Sequence, residues 1–243
     1  MPRPRHLLLA LLLALAAAQT ARAAGNEQRD EAVFDFYVKG FRVGLLVFAG
    51  VQSGDYYAVN GRFATAGLAS LIKTIRYDAT VHGTVSGDTY RPDAYELTTH
   101  RGKRQTVQTI GFRNGTPQAP VENPPHAPDP EAVNPATQTG AVDALTAIYA
   151  TLRKLPEDKA CQGTLTIYDG VRRATLTLWP ADGPKGVLAC GGEYRRVAGY
   201  SKEDMAEPVF PFRMSYAPTR SGEVEVSEID MSSIYGRASL KRR

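Results

Sequence analysis

Thr164-Leu165-Thr166-Ile167-Tyr168, then Asp169-Gly170, then Arg173-Ala174-Thr175-Leu176-Thr177-Leu178-Trp179: on both sides of a turn dipeptide, apolar residues occupy every second position. Period-2 alternation puts one set of side chains on each face of an extended strand, so the stretch predicts a β-hairpin. Gly170 accepts the positive φ that a type I′ connection at Asp169-Gly170 requires. The same period runs outward in both directions. Toward the C-terminus, 187–197, 210–216 and 223–229 read as three closing strands. Toward the N-terminus, Ala32, Phe34, Phe36 and Val38 share a face, Lys39-Gly40 turns the chain, and 42–49 returns. Strands follow at 55–65, with Tyr57, Val59 and Phe63 on one side, and at 76–85, 90–100 and 104–112. Ten or more strands make the chain mainly β.

Two stretches depart from that period. Val142, Leu145, Ile148, Tyr149, Leu152 and Leu155 recur at helical spacing, predicting a helix over 141–155 with Thr139 as its N-cap. Its apolar stripe should pack on the sheet, and a shorter helix is expected at 68–73. Seven of the 16 prolines fall within 114–138, which proline's fixed φ and missing N–H exclude from sheet interior and helix alike. This stretch reads as a long crossing loop within one domain, a boundary between two lobes being the other reading.

Residues 1–23 carry Arg3, Arg5 and His6, then an apolar run over 7–18, then Ala21-Arg22-Ala23. That is the pattern of a secretory signal peptide, and it predicts a mature chain of residues 24–243 delivered to a Gram-negative periplasm. Without Arg3, Arg5 and Arg22, the 29 basic residues fall to 26 against 25 acidic ones, a charge of about +1. So balanced a chain offers no electrostatic footprint for nucleic acid. The basic residues Arg237, Lys241, Arg242 and Arg243 read as a solvated tail or a contact with anionic lipid. Cys161 and Cys190 are the only two cysteines, and in an oxidising compartment they are expected to form a disulfide. A redox pair is disfavoured, since they lack both Cys-x-x-Cys spacing and a nearby His.

Candidate chemistry is sparse. His82, His100 and His126 read as ordinary surface or strand-end residues; there is no His-x-x-x-His, Cys/His cluster or Gly-x-Ser-x-Gly elbow. No catalytic residue, metal or cofactor is expected. Twelve tyrosines are the more suggestive feature, and Tyr37, Tyr57, Tyr95 and Tyr149 are the candidates for a binding surface.

The segments 32–44 and 90–95, the helix opening Val142-Asp143-Ala144-Leu145, and Tyr168-Asp169-Gly170-Val171-Arg172-Arg173 together resemble the domain of unknown function 3108 family of proteobacterial exported proteins. The order and spacing of these segments carry the resemblance, over 31–199. It implies periplasmic location and an antiparallel β architecture, and transfers no catalytic residues. More distantly, the pattern is similar to broken-barrel or β-spiral envelope proteins and to periplasmic lipoprotein carriers. The expected fold is therefore an antiparallel open or spiral β-barrel with one packed helix. The expected function is non-catalytic, supporting envelope integrity by binding a lipid, glycan or peptide component. A scaffold that captures a protein partner at a strand edge is the alternative, and a hydrolase ranks last.

Overall fold

In the computed structural model, described for residues 27–67, 70, 74–233 and 236–243, 61% of the described residues are strand. The signal-peptide reading lies outside the described residues, as does the 68–73 helix apart from Ser70. Two antiparallel meanders form one sheet. The first comprises β1 (Glu27–Val38), β2 (Phe41–Ser53), β3 (Tyr56–Thr65), β4 (Ile75–Ser86), β5 (Thr89–Arg101) and β6 (Arg104–Arg113), with short β7 (Thr116–Pro117) and β8 (Val121–Asn123) on the edge of β6. The second comprises β9 (Thr164–Tyr168), β10 (Arg173–Ala181), β11 (Ala189–Ala198), β12 (Val209–Pro218), β13 (Val224–Ser233) and β14 (Gly236–Arg242). Apart from short β8 on β6, every neighbour is sequential except at the join, where β1 pairs with β14 from Phe34↔Arg242 to Val38↔Ala238. The sheet curls into a nearly closed barrel whose one unsealed seam lies between β6 and β9.

Both free edges at that seam are occupied. The proline-rich segment carries β7 and β8 along β6, then crosses: Val133 N donates to Val171 O (2.9 Å) and Gly140 N to Gly115 O (2.8 Å). Val142 then bridges β9, donating to Thr166 O and accepting from Tyr168 N, each at 2.9 Å. Proline has no N–H to give a ladder, so Pro117 sits on the edge and the residues between the prolines pin edges that would otherwise invite association.

The helix, α1 (Ala144–Leu152), is shorter than its apolar periodicity and starts on a different cap. Asp143, not Thr139, takes the N-cap, its Oδ1 accepting from Thr146 N at 2.9 Å; Thr139 instead bonds the Thr116 hydroxyl. Helical geometry ends at Leu152 because Leu155, before Pro156, is drawn into an antiparallel bridge with Val224. The turns also exchange roles. Lys39 and Gly40, both at positive φ (51° and 82°), form the two-residue hairpin expected at Asp169-Gly170. The β9–β10 connection takes four residues, because the Asp169 carboxylate accepts from Val171 N and Arg172 N and closes a wider turn.

In the basic tail, Arg237, Lys241 and Arg243 keep about half or more of their side chains in solvent, and Arg242 is the correction. Residues 236–242 are a central strand, and Arg242 is largely buried. Its guanidinium lies 4.8 Å from the Phe34 ring centroid, donates to Val226 O (2.7 Å) and to the helix-end carbonyl of Leu152 (3.2 Å), and pairs with Glu225 (3.3 Å). A charge with that many partners is a structural bracket, not a solvated end. Cys161 and Cys190 are joined as a disulfide, Cα–Cα 5.0 Å, tying the loop before β9 to β11.

Candidate functional site

α1 lies inside the barrel and divides its interior. Toward the first meander it presents Leu145 and Tyr149. Glycines on the facing strands make room: a Cβ on Gly50 would stand 2.3 Å from the Tyr149 ring, and one on Gly61 would stand 2.5 Å from Leu145 Cδ1. Tyr149 meets Phe48 and Tyr90 edge-to-face at 6.0 Å, and Tyr90 meets Tyr57 at 5.0 Å. Polar ends are matched within this packing. Tyr149 donates to Asp30 Oδ2 (3.2 Å) while Asp30 Oδ1 accepts from Lys154 N (3.0 Å). Tyr57 and Thr146 hydroxyls lie 2.8 Å apart, and Thr146 donates to Asp143 Oδ2 at 2.5 Å. Burial pushes the Asp143 carboxyl up to about 6, against the opposing pull of the Thr146 hydrogen bonds.

Toward the second meander α1 presents Ile148 and the small side chains of Ala144, Ala147 and Thr151, which border a cavity of about 610 Å³. Leu176, Phe212, Ile229, Met231 and Leu240 supply its opposite wall, so the lining is almost wholly apolar. That volume is in the range of small-molecule sites. At one end of the barrel, the loop after β11 contributes Tyr200 to its lining. Tyr200 there shares a hydroxyl contact with Tyr194 (2.9 Å) beneath the guanidinium groups of Arg172 (5.2 Å) and Arg196 (5.4 Å). Arg196 is also paired with Asp204 at 3.2 Å and stacked on Phe210 at 4.8 Å.

A second cavity, about 290 Å³, opens near the other end beside the C-terminus of α1. Arg153, Lys159, Asp88 and Gln162 contribute its polar wall, and Thr151 and Leu176 belong to the walls of both cavities.

The four candidate tyrosines do not assemble around this space. Tyr57, Tyr95 and Tyr149 are buried in the packed side, and Tyr37 stands half-buried on β1 opposite Ser239 of β14. Their alternation reported the core of the first meander. The cavity aromatics Tyr194, Tyr200, Phe210 and Phe212 escaped the sequence reading, although Ala144, Ala147 and Thr151 at helical spacing opposite Leu145 and Tyr149 were a usable sign of unfilled space. His100 lies against Arg76 and Asp78, and His126 against Glu122. Among the described residues no cluster of His, Cys, Asp or Glu is arranged to hold a metal, and no helix is long and apolar enough to cross a membrane.

No curated protein matches the chain. Among solved structures, it is similar to the crystal structure of a β-barrel-like protein of domain of unknown function DUF1849 from Brucella abortus. That pair shares 11% sequence identity and a TM-score of 0.46, over 88% of this chain and 95% of the other. The family model for proteins of unknown function DUF3108 matches residues 33–181, from β1 through α1 to the end of β10, and a match over more than half its length makes this chain a member of the DUF3108 family.

Proposed function

We propose that the protein is a non-catalytic periplasmic binding protein of the cell envelope that holds an apolar ligand in the cavity between α1 and the second meander. The carrying observation is the 610 Å³ apolar space itself. A barrel interior normally fills with side chains, and apolar walls left facing water forgo the burial that an apolar ligand would supply. The leader-like residues 1–23 and the buried disulfide favour an exported setting. Strand-edge capture of a partner is less favoured, because residues 116–142 already occupy the edges of β6 and β9.

Titration of the purified protein with N-phenyl-1-naphthylamine, an uncharged apolar fluorophore, tests this. Saturable binding should be seen, and Ile148→Trp, which fills the cavity from α1, should abolish it while leaving the melting temperature near wild type. Absence of saturable binding in the wild type, or binding indifferent to Ile148→Trp, overturns the reading.

A further inference from the structure

The two ends of the interior differ in how their charges are spent. Around Tyr200, Arg196 is paired with Asp204, Asp169 lies in the same wall as Arg172, and both cations are stacked on aromatic rings. The walls of the smaller cavity hold two cations, Arg153 and Lys159, against one carboxylate, Asp88. That carboxylate is two-thirds exposed to water; it accepts from Arg153 Nη2 at 3.4 Å and lies 3.8 Å from Lys159 Nζ. Arg153 Nη1 is taken by the Lys154 carbonyl at 3.1 Å, but its Nε is buried with no hydrogen-bond partner. Asp30, outside this wall, attracts Arg153 through space, but its two oxygens accept from Tyr149 and the Lys154 amide. A buried guanidinium N–H without an acceptor is an unfavourable arrangement that an anion would relieve.

We propose that the ligand is an anionic single-chain amphiphile. Its acid group sits on Arg153 and Lys159, and its chain passes Thr151 and Leu176 into the larger cavity. This rests on the larger cavity binding an apolar ligand, and supplies the polarity and direction that reading lacks. Thr151 and Leu176 border both cavities, so the walls run from cationic at one end, through these two residues, to aliphatic and aromatic side chains.

Dodecanoate and 1-dodecanol, which differ at the head group, would be compared as competitors of N-phenyl-1-naphthylamine on the purified protein. Dodecanoate should bind about tenfold tighter, the order expected of one charge-assisted hydrogen bond. Arg153→Gln should remove most of that gap and Arg153→Lys should keep part of it. Lys159→Gln, a change at an exposed side chain that spares the fold, should narrow it. Fluorophore binding should persist in all three. Equal affinity of the two competitors, a gap that survives both glutamine variants, or a gap lost on Arg172→Gln instead, overturns the head-group assignment while leaving apolar binding intact. Failure of the fluorophore to bind the wild type removes both.

Discussion

The first and second meanders obey the same inside-outside alternation, yet one encloses a packed core and the other a hollow. Their difference comes from what α1 turns toward each. On the first side, Tyr149 and Leu145 enter spaces that Gly50 and Gly61 leave open, so large side chains meet strands without Cβ atoms. On the second, Ala144, Ala147 and Thr151 face Leu176, Ile229 and Met231 across a gap. Gly192 does open space on that side, but the Phe212 ring of the neighbouring strand takes it, with 2.1 Å between the ring and a would-be Cβ. Strand pattern therefore sets which face is interior, and the helix composition sets whether that interior is full.

The sharpest way to break this contrast is a pair of adjacent truncations on α1. Tyr149→Ala should destabilise by about 3 to 5 kcal/mol, since it empties a fully buried ring position and strips Asp30 of a donor. Ile148→Ala, whose side chain already borders empty space, should lower stability by less than about 1.5 kcal/mol. Urea unfolding of both variants checks the asymmetry, and equal losses would mean that the two faces of α1 are packed alike.

Next in size is the staple of the hollow half. Cys161 and Cys190 close a loop of 29 residues, so reducing the bond, or replacing both by Ser, should lower stability by about 3 to 4 kcal/mol in the chain-entropy account. Fluorophore retention measured alongside the urea melt sharpens the comparison: the hollow side should lose its ligand at denaturant concentrations where the Tyr57–Tyr149 side still resists. Simultaneous loss of both signals would instead make the barrel one cooperative unit.

The smallest expected effect concerns the anchor of α1. Burial raises the folded-state pKa of Asp143 from 3.8 to about 6, so between those values the folded protein holds a proton that the unfolded chain has released. Stability from this group should therefore rise as pH falls from 7 through 6 toward 4, by at most about 3 kcal/mol. Asp143→Asn removes the titration while keeping an acceptor for Thr146 N. Wild type should gain on that variant over this range in paired urea melts; parallel pH profiles would place the Asp143 carboxyl in a wetter setting than the packed half provides.

The strands were readable because half-buried sheet repeats every two residues, and the disulfide because the two cysteines leave a single pairing. The hollow was not, because it depends on which side chains face one another after some fourteen strands have curled. Arg242 shows a second limit. Beside Lys241 and Arg243 it reads as charge for solvent, yet its stem covers Phe34 while its head brackets three strands and a helix end. Asp169 shows a third: the dipeptide fits a tight turn, but the carboxylate's two backbone partners select a wider one.

The β1–β14 pairing also has a temporal side. Phe34 and Arg242 are ladder partners separated by nearly the whole described chain, whereas almost every other pairing joins neighbours in sequence. In a polypeptide made from its N-terminus, β1 and β2 can zip early, but the outer rim of β1 must stay bare until the final strand arrives. Local hairpins then form fast and the last closure slowly, as loop-closure entropy dictates. For that interval the half-built molecule exposes the unpaired backbone of Phe34 to Val38, an edge open to pairing with another copy of itself.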